Sequence, residues 1–413
     1  MPAPLFADLV PAPPDAILGL AEAFRADSRP GKISLAAGIY QDETGHTPVL
    51  ATVAEAERRI LAAATPKTYR PIGGDPAFTG LVRALVFGAD HPALATGRVE
   101  MLHAPGGTGA LRVAADLVRR LSPGASAWLS RPTWPNHPQV FEAAGLPVRW
   151  YPYLAEDGAG LDLEAMLAAL AEAAAGDVVV VHACCHNPTG TDLPAAGWER
   201  LAALVAEHGL LPLVDFAYQG FGDGLDEDAA GVRALAAGGG TVLVASSMSK
   251  NFAVYSERVG GLSIIGATRD QAAALASHAR AAVRANYSNP PAHGGEIVAT
   301  ILGDPELRAR WVDEVAVMRD RINGNRARFV AGLVAAGVAG SVTGGRGARL
   351  DADALLRQRG MFSLLGLSAE QVARLRDEFA VYVVTGGRIN VAGLTAANLD
   401  PVCVAIATVI REG

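Results

Sequence analysis

Residues 177–190 read DVVVVHACCHNPTG: four valines in a row, a histidine, two cysteines and then a turn. Consecutive β-branched side chains favour extended backbone. A strand with one wet face alternates apolar and polar positions, but this one is apolar on both, so both faces must be covered. Strands of that kind belong to parallel sheets with helices packed on each side. Asn187-Pro188-Thr189-Gly190 has the chemistry of a turn and marks where the strand stops.

The neighbouring sequence repeats the theme. Upstream, a helical pattern at 106–121 precedes a strand at 126–132, a helix at 136–145, a strand at 147–153 and an alanine-rich helix at 163–174. Downstream come a helix at 198–209 and then strands at 210–218 and 241–249. Such alternation predicts an α/β fold, a mostly parallel sheet with helices on both faces. Beyond Pro305 the pattern changes. One long arginine-studded helix spans 305–337, followed by short strands and a helix at 368–380, which predicts a smaller α+β domain. The expected division is a large domain of residues 47–305 and a small domain built from 1–46 together with 306–413.

Composition narrows function by exclusion. Half of the 413 residues are hydrophobic and 19% are charged, which describes a well-buried globular chain. A net charge of −7 and the lack of basic runs argue against a nucleic-acid partner. Apolar runs fall far short of the roughly 20 residues a membrane helix needs. The N-terminus, MPAPLFADLVPAPP, carries no basic leader, and the three cysteines cannot form a disulfide framework. A cytoplasmic protein without membrane attachment is expected.

Parallel strands deliver their C-terminal ends to one rim, and ligands bind outside it. Here those ends carry Asn187, Asp215 with Tyr218, and Ser247, Ser249 and Lys250. Each has a bland reading: a turn asparagine, an aspartate capping a helix, a solvated lysine. Their convergence on one rim argues otherwise. Lys250 stands out further because only three of the 35 lysines and arginines are lysines. An amine freed of its proton forms a Schiff base with an aldehyde, which a guanidinium cannot do. A carboxylate keeps a pyridine nitrogen protonated, and an amide donates to a phenolate oxygen. The trio suits pyridoxal 5′-phosphate.

A phosphate needs a cradle. Pro105-Gly106-Gly107-Thr108-Gly109 stands directly before a helical pattern, where backbone N–H groups and the helix dipole favour an anion. Ser247 and Ser249 add hydroxyls, and Arg258 can add a charge-assisted contact. Trp134, at another strand end, can stack on a planar ring with His137 behind it. The run His182-Ala183-Cys184-Cys185-His186 offers metal-ligand side chains, but a strand points Cys184 and Cys185 to opposite faces, so zinc is not expected.

These stretches, with AAGIYQDETGHTPVL (36–50), KTYRPIGGDPAF (67–78), VRANYSNPPAHG (283–294) and GGRINVAGLTAANLD (386–400), resemble class I, fold-type-I aminotransferases. Within that class they are similar to the aspartate and aromatic amino acid aminotransferases, in the family's order along nearly the whole chain. The resemblance implies a Schiff-base and proton-shuttling role for Lys250 and a ring-nitrogen partner in Asp215. Asn187 and Tyr218 would hold the phenolate oxygen and Trp134 would stack on the ring. Gly107, Thr108, Ser247, Ser249 and Arg258 would hold the phosphate, and Arg388 and Gly38 the substrate α-carboxylate. It also implies a homodimer whose sites are shared, with Tyr69 reaching the neighbour's phosphate and Arg284, beside Ser288, meeting a substrate side-chain carboxylate there. The implied reaction is ping-pong transfer of an amino group from aspartate or an aromatic amino acid to a 2-oxo acid, typically 2-oxoglutarate. The alternatives are a mainly aromatic enzyme or a non-transaminating protein on the same fold. Glycine and charge at 339–362, and Glu296 in HGGEIV, depart from the usual pattern.

Overall fold

The computed structural model describes residues 5–6, 9–11, 18–64, 66–155, 158, 160–338, 341–343 and 349–412. In chain order the first eight strands are β1 (Ile33–Ser34), β2 (Val99–Pro105), β3 (Ala127–Arg131), β4 (Val148–Pro152), β5 (Val178–His182), β6 (Leu211–Phe216), β7 (Val242–Ser247) and β8 (Val259–Ile265). Seven of them form one sheet in the order β2-β8-β7-β6-β5-β3-β4. All neighbours are parallel except β8, which runs antiparallel to both β2 and β7. The valines of β5 are all buried, as a strand covered on both faces requires.

Between residues 99 and 265, sequence patterning overlooked two strands and one α-helix. β2 and β8 carry too little regular alternation to announce themselves, and the helix Ala230–Ala237 lies between two strands expected to follow directly. The antiparallel β8 matters for the site. It puts its N-terminal end, and Arg258 immediately before it, on the rim where β2 ends, since Pro105 pairs with Val259.

The helix Gly106–Leu121 buries Ala110, Leu111, Ala114, Leu117 and Val118. The helix Pro305–Ala335 is capped by the Asp304 carboxylate, which accepts from the N–H groups of Glu306 and Leu307 at 2.9 and 3.0 Å. Early in that helix Trp311 stacks on Phe252 at 4.3 Å and donates its indole N–H to Asn251 O at 2.9 Å. Further along, Asn325 donates to Val391 O and Leu394 O at 3.0 and 2.8 Å. One helix therefore packs against both the lysine turn and the C-terminal region.

The C-terminal region adds β9 (Ser341–Thr343), β10 (Arg349–Asp351), β11 (Phe362–Leu364), β12 (Val381–Tyr382) and β13 (Arg388–Asn390). β1 pairs in parallel with β12, tying the N-terminal segment to this region. Residues 339–340 and 344–348 of the glycine-rich stretch lie outside the described residues. Glu296, the unexpected charge, is ion-paired with Arg70. Among the described residues no helix is long and apolar enough to cross a membrane.

Candidate active site

Parallel register brings the strand ends level: His182 of β5 pairs with Asp215 of β6, which pairs with Ala245 of β7. A cavity of about 250 Å³ opens over this rim. It is lined by Gly107, Thr108, Trp134, Asn187, Asp215, Tyr218, Ser247, Ser249, Lys250 and Arg258 from the sheet side, and by Gly38 and Arg388 from the other. Among the expected residues, Tyr69, His137, Arg284 and Ser288 do not line it. Tyr69 is 93% exposed, and Arg284, exposed on the helix Arg269–Asn286, donates to the Ser288 hydroxyl.

Asp215 caps no helix. Its carboxylate lies 3.1 Å from His137 Nε2, and His137 Nδ1 lies 2.8 Å from the Thr133 hydroxyl. An ionised carboxylate only accepts, so His137 Nε2 carries the proton that it donates to Asp215. Burial alone would raise the Asp215 carboxyl, but the hydrogen bond from His137 and nearby positive charge outweigh it and hold it below its ordinary value. The site therefore keeps a fixed negative charge where the β6 end faces the cavity.

The Lys250 ammonium lies 4.8 Å from the centre of the Tyr218 ring. Burial, aided by Arg258 and opposed by Asp215, brings its pKa down from 10.5 to about 8. The neutral, nucleophilic amine is the form above that value. Capture of an aldehyde by the cofactor-free protein is accordingly expected to speed up with pH and level off just above about 8, followed as absorbance in a pH series. A rate still climbing towards 10.5 would show an ordinary surface lysine. Burial also raises Tyr218 well above its ordinary value, so its hydroxyl keeps its proton and can donate.

The cradle is built by close approach. Gly106 has φ 72°, and a Cβ there would meet Arg258 Nη2 at 2.5 Å. Arg258 donates to Ser249 Oγ at 3.4 Å, and the Ser247 hydroxyl lies 3.1 Å from that of Ser249. Across the cavity, the Phe362 ring lies 4.3 Å from the Arg388 guanidinium. Arg388 donates to Ala36 O, yet its buried Nε has no partner, and Asn187 Oδ1 is orphaned likewise. Burial brings the Arg388 guanidinium down to about 10, so it is still a cation at neutral pH.

Charge decides what fits. Lys250, Arg258 and Arg388 face a single lining carboxylate, Asp215, and burial pulls His182 down to about 3, leaving it neutral. An excess of cations around one cavity, with Arg388 fully buried, calls for anionic ligands. A phosphate on the Arg258 side and a carboxylate on the Arg388 side match it, so the residues fit pyridoxal 5′-phosphate with an amino acid. Sequence reasoning did not single out His182 as lining the cavity, nor Tyr255 and Phe362, which reach it only through the fold.

β5 ends at His182, and Cys185 takes left-handed backbone with φ 51°, so Cys184 and Cys185 do not alternate across a strand. Their thiols and the Asp228 carboxylate lie within 4.8 Å of one another. Burial nevertheless pushes Cys185 up to about 12 and Cys184 well above its ordinary value, which disfavours the thiolates a metal needs. Asp228 already accepts from the N–H groups of Gly220, Gly222 and Asp223.

The chain belongs to the aminotransferase class I and II family, which matches residues 30–406. It is 49% identical to the aspartate aminotransferase of Salmonella typhi, over 98% of this chain and 100% of that one. It is 48% identical to the aromatic-amino-acid aminotransferase of Pseudomonas aeruginosa, over 98% and 99%. The structure of the aromatic-amino-acid aminotransferase from Burkholderia pseudomallei, covalently bound to pyridoxal phosphate, superposes with a TM-score of 0.93 at 47% identity, over 98% of this chain and 100% of that one.

Proposed function

We propose that this aminotransferase uses pyridoxal 5′-phosphate to move an amino group from aspartate, aromatic amino acids or both to 2-oxoglutarate, in a ping-pong cycle. The observation that carries the reading is one cavity holding Lys250, Asp215 and Asn187 from three strand ends, with the exposed Arg258 on one side and, on the other, the buried Arg388, whose Nε has no partner. The bound cofactor supplies the aldehyde that takes the amino group and a ring that accepts the electron pair freed at the α-carbon. Lys250, a neutral amine above about 8, moves the α-proton. Asp215 holds the ring nitrogen protonated, and Asn187 and Tyr218 hold the phenolate oxygen. Gly107, Thr108, Ser247, Ser249 and Arg258 take the phosphate, Trp134 stacks on the ring, and Arg388 with the Gly38 backbone takes the α-carboxylate.

The chain acts as a homodimer. Tyr69 and Arg284 sit outside their own cavity on exposed surface, with the half-buried Ser288 bonded to Arg284, an arrangement that supports their serving a neighbour's site. Residues 1–46 with 306–413 form the small domain beside 47–305, a grouping that the β1–β12 pairing supports. Three free, buried cysteines suit a cytoplasmic setting. A mainly aromatic activity has its own support, since Trp134, Tyr218, Phe362 and Leu111 give the cavity an apolar wall.

Half-reaction rates with aspartate and phenylalanine decide between these. Arg284→Ala is expected to lower kcat/KM for aspartate by roughly 30-fold or more, while phenylalanine loses far less. Equal losses with both substrates would remove Arg284 from substrate choice.

A further inference from the structure

We propose that Tyr255 is a positioning residue whose hydroxyl fixes the segment carrying Gly38 against the lysine turn, and so sets how tightly a substrate carboxylate is held. Tyr255 opens the short turn Tyr255–Glu257, between Lys250 and Arg258, and lines the cavity. Its oxygen accepts the Tyr40 backbone N–H at 2.8 Å, two residues beyond Gly38.

The same segment is held from the opposite side by β13. Arg388 donates to Ala36 O, and Asn390 Nδ2 donates to Ala37 O and Ile39 O, both at 2.7 Å. Arg321 lies 5.8 Å from the centre of the Tyr40 ring, and Tyr40 itself is buried at 4% exposure. Residues 36–40 are therefore gripped between the β13 side and the turn that carries the lysine. Tyr255 is the grip on the lysine side. Burial raises its pKa to about 12, so the hydroxyl stays neutral and keeps a proton of its own to donate while it accepts from Tyr40.

The consequence is specific. Without the Tyr255 oxygen, a half-buried backbone N–H loses its partner, and the segment relaxes away from the cavity. The loss falls on whatever carboxylate lies between Arg388 and Gly38, which every amino-acid substrate presents. Tyr255 does not reach the cofactor's ring in this reading, so the cofactor's own spectrum is untouched. The inference rests on the proposed function, in which the Gly38 segment covers the α-carboxylate.

The test compares wild-type and Tyr255→Phe holoenzymes; the substitution removes one atom and keeps the ring that fills the space. Succinate and 3-phenylpropionate, carboxylates without an amino group, serve as probes. Both dissociation constants are expected to rise by the same factor, roughly tenfold, with the cofactor absorption band and its pH titration unchanged. KM for aspartate and phenylalanine should rise in parallel, with kcat changing much less. Unaltered affinities, or a shifted cofactor band, would overturn the assignment. Hydrogen exchange of the Tyr40 amide in wild-type holoenzyme is a check that needs no variant: it is expected to be slow and to slow further with succinate, and fast exchange would overturn the proposal. If wild-type holoenzyme binds neither probe and turns over no amino acid, the proposed function fails. If it does both and Tyr255→Phe matches it, only the Tyr255 assignment fails.

Discussion

Lys250→Ala is expected to lower kcat/KM by at least roughly 10⁴-fold with every amino acid, measured as single-turnover half-reactions. The size follows from two losses at once. The amine is both the group that captures the cofactor and the base that moves the α-proton, and no neighbour can replace it. Asp215 is committed to His137, Tyr218 holds its proton far above neutral pH, and Arg258 and Arg388 are cations. The fold should survive, because Lys250 sits on a cavity wall and its closest aromatic contact is with Tyr218 at 4.8 Å. Unfolding curves that match wild type would confirm that the loss is chemical. Residual turnover within tenfold of wild type would mean that another group supplies the base.

Asp215→Asn ranks next. The amide keeps the shape of the carboxylate and removes its charge. A fixed negative charge facing the place where a ring nitrogen gains positive character is electrostatic stabilisation of the kind worth roughly 10²–10³ in kcat. The variant should still load cofactor, since the phosphate cradle at Gly107, Thr108, Ser247 and Arg258 is untouched. A drop of less than about tenfold would assign Asp215 to holding His137 in place instead.

Much of this was legible in the sequence, and the reasons differ by element. β5, β6 and β7 announce themselves because strands buried on both faces must be continuously apolar. The polar residues at their ends are conspicuous against that background. β8 stayed hidden for a physical reason: its Gly260 and Gly261 look like poor strand residues. A Cβ on Gly260 would meet the Gly106 backbone at 2.4 Å, and one on Gly261 would meet Met101 at 2.2 Å, so close packing against the start of the helix Gly106–Leu121 and against β2 requires the two glycines. The alternation argument for Cys184 and Cys185 failed because the strand ends two residues before the pair.

Tyr255 could not be found from pattern. Its partner Tyr40 is 215 residues away, and although Tyr40 lies in a stretch that carries the resemblance, no local pattern there points to Tyr255. Tyr69 and Arg284 raise a different difficulty. Their proposed partners lie in a second copy, so neither local pattern nor a single chain displays what they do. Only the resemblance singled them out, and the exposed surface they occupy is consistent with it.

The scarcity of lysine makes the central claim unusually open to test. The purified protein, loaded with pyridoxal 5′-phosphate, is reduced with borohydride, digested and mapped by mass spectrometry. The chain has three candidate amines besides its N-terminus: Lys32, Lys67 and Lys250. The account predicts a pyridoxyl group on the peptide containing Lys250 and none on the other two. A label on Lys32 or Lys67 alone, or a fully loaded protein with no label at Lys250, would contradict it.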